Sequence, residues 1–183
     1  MKIIFLDVDG VLNSQYSFKR HGNILYDEYL KNLKKIVLET KANIVISSTW
    51  RKSDILMNEL KEYLEKYEIS QYLIGKTDNY IGINKERGDE IRKWINDNKH
   101  LNIETFVIID DDIDMREFTN TNLAKCKNET GFTDEVLHDA LEILKNGIKT
   151  NNYKTCRIYF KGRDEFCITD CDIKNCKKNK VNK

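Results

Sequence analysis

The chain has 183 residues, with 31 basic and 30 acidic side chains and a net charge of +1. That length suits one domain with a real core, and the even charge excludes a basic nucleic-acid coat or an acidic solvating chain. With 40% hydrophobic and 33% charged residues, and no apolar run near the ~20 residues of a membrane helix, the composition is that of a globular protein with a wet surface.

Lys2 to Asp7 is a short apolar run with β-branched residues that ends in an acid, and it reads as a buried strand of the parallel type. The acid comes too early for a signal peptide's apolar stretch, so the expected location is the cytoplasm, with no membrane partner. Residues 11–25 leave room for a short flap. Leu30, Leu33, Ile36 and Val37 predict a helix within 26–40. Ile44–Ile46 reads as a second buried strand, ended by Ser47, Ser48 and Thr49. Ser53 is expected to cap a helix with Ile55, Leu56, Leu60, Tyr63 and Leu64 on one face. Tyr72–Ile74 suggests a short strand closed by Gly75. Gly88 is expected to open a helix with Ile91, Trp94 and Ile95 inside and Asp89 and Glu90 in its first turn, where acids suit the helix dipole.

Phe106–Ile109 predicts a third buried strand, ending in Asp110, Asp111 and Asp112, and Leu123–Ala124 one more short strand. Thr133 is expected to cap a last helix carrying Val136, Leu137, Ala140, Leu141 and Leu144, with Gly147 as its stop. Strands alternating with helices predict an α/β class: a Rossmann-like open parallel sheet with helices on both faces, over residues 1–147. Residues 148–183 break the pattern and form a short Cys- and Lys-rich extension. It holds an expected strand pair, Cys156–Phe160 and Phe166–Thr169, around the turn signal Gly162-Arg163-Asp164.

Ligands of open α/β sheets bind outside the carboxyl ends of the strands. Three predicted strands end there in Asp7-Val8-Asp9-Gly10, in Ser47-Ser48-Thr49 and in Asp110-Asp111-Asp112. If the strands are neighbours, at least four carboxylates converge, a self-repelling cluster that calls for a cation. Oxygen ligands of this kind suit Mg²⁺ together with a substrate phosphate. A turn at Asp9-Gly10 would let two carboxylates flank a ligand, one attacking and one handling protons. Gly10 permits that turn, and its backbone N–H groups can cradle an anion.

These residues carry a resemblance. Phe5-Leu6-Asp7-Val8-Asp9-Gly10-Val11-Leu12-Asn13 resembles the first motif of the haloacid dehalogenase-like (HAD) superfamily of phosphohydrolases. Ser47-Ser48-Thr49-Trp50-Arg51 is similar to its second motif, and Val107-Ile108-Ile109-Asp110-Asp111 to its fourth. Lys85 and Arg87 are two candidates for the third. The order and spacing hold from residue 1 to about 147. The Thr-Trp-Arg stretch, Arg87-Gly88-Asp89-Glu90-Ile91 with Trp94, and Gly131-Phe132-Thr133 resemble in particular the HAD domain of Swiss Army Knife RNA-repair proteins.

The resemblance implies a phosphatase. Asp7 would be the nucleophile and form an aspartyl-phosphate; Asp9 would protonate the leaving oxygen and then activate water. Mg²⁺ would be held by Asp7, the Asp9 backbone carbonyl, and Asp110 or Asp111. Ser47 or Ser48 would bind a phosphoryl oxygen, and Arg87, favoured slightly, or Lys85 would balance the charge; the family normally has Lys there. The short segments 11–25 and 52–84 imply a minimal cap and an open site. The expected partner is a phosphorylated substrate, a small molecule or a nucleic-acid end, and an open site would admit a macromolecular end rather than enclose a small metabolite.

Other residues read more plainly. Trp50 and Trp94 are expected to pack rather than stack on substrate, and Asp112 and Asp114 to be solvated loop acids. Arg51 is open between a substrate phosphate and a nearby carboxylate. His21, His100 and His138 show no metal or triad spacing. The odd number of cysteines, five, reads as reduced thiols or metal ligands ahead of disulfides. Of Cys156, Cys167, Cys171 and Cys176, only the Cys167-x₃-Cys171 pair has zinc spacing, and Cys171-x₄-Cys176 is marginal. The basic tail reads as a solvated terminus. The competing function is a non-catalytic HAD-like module that binds metal or phosphate. The intact Asp7/Asp9 pair speaks against it, since a binding module needs neither nucleophile nor acid. A receiver-type phospho-acceptor domain would place its acceptor Asp at the end of a middle strand, where this chain has Ser47 and Ser48.

Overall fold

A computed structural model describes residues 1–21, 25–78 and 86–148, and the backbone of the strands Cys156–Phe160 and Arg163–Cys167. Five strands form one all-parallel sheet: β1 (Lys2–Leu6), β2 (Asn43–Ile46), β3 (Leu73–Lys76), β4 (Thr105–Asp110) and β5 (Leu123–Lys125). Their order is β3-β2-β1-β4-β5. The chain winds outward from β1 through β2 to β3, then returns to the other side of β1 with β4. The direction of winding therefore reverses between β1 and β4, the switch point where such sheets bind ligands.

Alternation along the strands explains the layers. Ile4, Leu6, Ile44, Ile46, Val107 and Ile109 face one core, packed with Leu30, Leu33, Leu60 and Leu144. These come from the helices α2 (Asp27–Thr40), α3 (Asp54–Lys66) and α5 (Asp134–Asn146). Ile3, Phe5, Val45 and Ile108 face the other core, with Ile91 from α4 (Arg87–Asp97). Trp94 meets Phe5 edge to face at 5.5 Å, the expected packing role. The three central strands β1, β2 and β4 are buried on both sides, which is why they read as unbroken apolar runs.

The helix caps follow the sequence. Ser53 Oγ accepts from the Leu56 N–H and Thr133 Oγ1 from the Val136 N–H, and Gly147 ends α5 in the left-handed conformation. Several expectations need correction. Ile55 is 80% exposed and Met57 takes its place in the α3 core, because the buried stripe follows 57, 60 and 64. β3 runs through Gly75 to Lys76 rather than stopping there. Glu86, not Gly88, precedes α4, in a reciprocal capping box with Asp89. Segment 11–25 carries a helix, α1 (Gln15–His21), which was not expected. It is anchored by the N–H groups of Gln15 and Tyr16 on the carbonyls of Asn128 and Glu129, and hydropathy does not show such bonds.

Residues 1–149 and 150–183 form two compact units. In the second, β6 (Cys156–Phe160) pairs antiparallel with β7 (Arg163–Cys167). Arg163 and Asp164 thus lie in the strand and not in a turn, and β7 starts three residues before the expected Phe166. Cys156 and Cys167 are opposite each other in register; Cys171 and Cys176 lie outside the described residues. Among the described residues no helix is long and apolar enough to cross a membrane.

Candidate active site

The ends of the three central strands are locked level by backbone bonds. The Asp7 N–H donates to the Ile109 carbonyl at 3.0 Å, and the Ser47 N–H to the Leu6 carbonyl at 3.0 Å. The chain then turns sharply: the N–H groups of Val11 and Leu12 return to the Val8 carbonyl at 3.2 and 2.8 Å. Gly10 sits at φ +74°, and a Cβ there would lie 2.3 Å from Asp111 Oδ2. Only glycine allows both the left-handed backbone and that approach.

This geometry brings the carboxylates of Asp7, Asp110 and Asp111 together, with one oxygen of each within 4.8 Å of the others. Asp7 is 5% exposed and Asp110 is fully buried. Burial, and then the Asp7 charge, push the Asp110 and Asp111 carboxyls upward. The cluster is therefore short of positive charge, and its oxygen-only donor set fits a hard divalent cation.

Arg87 supplies the cation present. Its Nη1 donates to Asp110 Oδ2 at 2.8 Å and lies 3.1 Å from Asp7 Oδ1. Burial alone would lower the guanidinium, but the Asp110 and Asp7 carboxylates outweigh it and hold Arg87 above its ordinary value. Gly88 makes this placement possible. The Gly88 N–H donates to the Asp114 carbonyl at 3.1 Å, and a Cβ on Gly88 would meet the Met115 carbonyl at 2.5 Å. The other third-motif candidate, Lys85, lies outside the described residues.

The two serines differ. Both are fully buried. Ser48 Oγ accepts from the Trp50 N–H at 3.3 Å, capping the 3₁₀ turn Thr49–Lys52. Among the described residues Ser47 Oγ is buried without a partner, and Thr77, which directly follows β3, has the same orphaned hydroxyl. Sequence reading missed it, although a hydroxyl after an apolar strand is the signal that singled out Ser47.

Asp9 stands apart from the acidic cluster. Its side chain is exposed, and it accepts from Trp50 Nε1 at 3.0 Å and from Asn13 Nδ2 at 2.9 Å. Trp50 does pack in the core, at 4% exposure, but it also reaches the first motif, which packing alone did not predict. Arg51 turns to a carboxylate: Nη2 meets Glu90 Oε2 at 2.5 Å, while Nη1 donates to the carbonyls of Ser47 and Ser48 at 2.6 and 2.7 Å. Asp112 is exposed as expected. Asp114 is not a solvated acid: it is half-buried, and its Oδ2 accepts from the Arg87 N–H at 3.3 Å.

Residues 3–137 match the family described as the HAD domain in Swiss Army Knife RNA repair proteins. The match spans well over half the chain, and the chain belongs to this family. No curated protein matches it and no solved structure does.

Proposed function

From this membership of the HAD domain family, we propose that the chain is a Mg²⁺-dependent cytoplasmic phosphatase that works through an aspartyl-phosphate. The family is one of phosphohydrolases. The observation that carries the finer reading is the Asp7–Arg87–Asp110 arrangement, with Asp111 within 4.8 Å. It sets a nucleophile-ready carboxylate beside a fixed cation and a site that fits a metal.

In the first step an Asp7 carboxylate oxygen attacks phosphorus, and the bond to the leaving oxygen breaks. Asp9 gives its proton to that oxygen. In the second step a water oxygen attacks phosphorus while the Asp9 carboxylate takes a proton from it. The Asp7–phosphorus bond breaks, and phosphate leaves. Mg²⁺, when bound by Asp7, the Asp9 carbonyl, Asp110 and Asp111, supplies charge neutralisation at the phosphoryl oxygens. Ser47 is our choice over Ser48 to donate to a phosphoryl oxygen, because its hydroxyl has no partner among the described residues. Arg87 balances the remaining charge and occupies the position where Lys is usual.

The substrate we favour is a phosphorylated nucleic-acid end. The family's description names RNA repair, and the described residues build no cap domain: α1 alone is added between the first motif and the core helix α2, while α3 and β3 after the second motif belong to the core and the sheet. The test is Mg²⁺-dependent phosphate release over a panel. It would hold p-nitrophenyl phosphate, nucleoside monophosphates, sugar phosphates, and 3′- and 5′-phosphorylated oligonucleotides, with Asp7→Asn as control. Release that needs both Mg²⁺ and Asp7, fastest on oligonucleotides, is expected. Fastest release from a sugar phosphate would overturn the substrate, and release by Asp7→Asn would overturn the mechanism.

A further inference from the structure

We propose that Trp50 and Asn13 are positioning residues that clamp the Asp9 carboxylate and aim its proton at the leaving-group oxygen. The inference rests on the reading of Asp9 as acid and base. Trp50 Nε1 donates to Asp9 Oδ2 at 3.0 Å, and Asn13 Nδ2 to Oδ1 at 2.9 Å. One bond comes from the loop after β2, the other from the turn after β1.

Neither holder is free to move. The Trp50 indole is 4% exposed, and its backbone is fixed at both ends: its N–H on Ser48 Oγ, and its carbonyl accepting from the Ser53 N–H at 3.0 Å. Asn13 Oδ1 takes the Gly10 N–H at 2.8 Å, so the carboxamide presents its nitrogen to Asp9. Asp9 itself is exposed. Without the two bonds its side chain would sample several rotamers in water.

The chemistry of the holders sets the direction of the proton. An indole N–H and a carboxamide NH₂ are donors only. A proton on Asp9 therefore cannot pass to either, and its acceptors are the leaving oxygen or water. In the first half-reaction the Asp9 O–H bond breaks and the leaving oxygen gains the proton as its bond to phosphorus breaks. In the second, the attacking water returns a proton to Asp9. Both transfers need the same carboxylate orientation, which the clamp holds before substrate arrives.

The test compares leaving groups. p-Nitrophenolate departs without a proton, whereas an alkoxide from a sugar or ribose phosphate needs one. A placed general acid contributes roughly 10²–10⁴-fold. Trp50→Phe keeps a ring in the buried seat and removes the donor. It is expected to lower kcat/KM on an alkyl phosphate by roughly tenfold or more, with a clearly smaller loss on p-nitrophenyl phosphate. Asn13→Ala, at a half-buried position, should show the same split and serves if Trp50→Phe does not fold. Because kcat/KM reports transfer to Asp7 rather than the later hydrolysis, the comparison isolates the acid role. A readout independent of turnover is the indole ¹⁵N–¹H resonance, of which the chain has two, from Trp50 and Trp94. Asp9→Asn should move the Trp50 signal and leave Trp94 in place. Wild-type turnover with equal loss on both substrates, or an unmoved Trp50 signal, would overturn the clamp alone. A wild-type chain that releases no phosphate from any substrate would overturn the phosphatase reading and this role with it.

Discussion

Arg87 Nη1 lies 2.8 Å from Asp110 Oδ2, so a single cation from α4 closes over the buried end of a central strand. Its second contact, 3.1 Å to Asp7 Oδ1, adds a side-chain link between the carboxylates at the ends of β1 and β4. Removing one partner of a buried pair leaves an uncompensated charge. Arg87→Met is expected to cost about 3–5 kcal/mol without divalent metal. Added Mg²⁺ should restore more stability to the variant than to the wild type, since a ligand that binds only the folded state stabilises it by mass action. Urea denaturation with and without Mg²⁺ measures both effects.

Gly10 and Gly147 share a positive φ, +74° and +84°, but of these two only Gly10 has a neighbour in the way among the described residues. Alanine at either position should cost about 1–2 kcal/mol of backbone strain. Gly10→Ala must also displace Asp111, so its Mg²⁺ affinity should fall by about tenfold or more, the ~1.4 kcal/mol equivalent of weakening one ligand. Gly147→Ala should bind Mg²⁺ like the wild type. Calorimetric titration of the two variants separates strain from site geometry.

The Arg51–Glu90 pair joins the second-motif turn to α4, with side chains 5% and 12% exposed. Arg51→Met alone is expected to lose about 3–5 kcal/mol, because it breaks a buried ion pair and takes the donor from the Ser47 and Ser48 carbonyls. The double variant Arg51→Met/Glu90→Leu should lose clearly less than the sum of the single changes. A double-mutant cycle by chemical denaturation reads the difference. Additive losses would mean the pair contributes nothing as a pair.

Asp89 gives a pH-dependent case. The Arg116 side chain, then the Glu86 N–H and Arg92, hold its carboxyl well below the usual carboxylate range. A depressed folded-state value means that the stabilisation is complete above the unfolded value, about 4, and is lost as pH falls toward the folded value. Asp89→Asn should therefore destabilise at pH 7, and the gap to the wild type should shrink as the pH drops below about 4. Urea midpoints across that range follow it; a gap that stays constant contradicts this account.

Much of this architecture was legible in the sequence because β1, β2 and β4 are buried on both faces, which leaves an unmistakable apolar run ending in acids or hydroxyls. Strand order was not legible: nothing local tells β4 to return beside β1. That the Ser48 hydroxyl caps a 3₁₀ turn while that of Ser47 does not was not legible either, since it depends on how the chain turns after β2. Arg51 was open between phosphate and carboxylate, and only the fold brings Glu90, 39 residues away, to meet it. Trp50 was read as packing, which is correct but incomplete: an indole has an apolar body and a polar edge, and the partner of that edge is set by tertiary structure. Ile55 misled because apolar spacing over one turn fits two faces of a helix, and Met57 decided the buried one.

The central claim is that Asp7 carries the phosphoryl group. Asp9→Asn should still accept phosphate from p-nitrophenyl phosphate, which needs no proton, yet hydrolyse the intermediate slowly. Acid quench of that variant with Mg²⁺ and substrate, borohydride reduction and peptide mass spectrometry test this directly. The account predicts homoserine at position 7, the reduction product of an aspartyl-phosphate, and none when Asp7→Asn is added. Release of p-nitrophenol with Asp7 unmodified, or with the adduct on another residue, would contradict it.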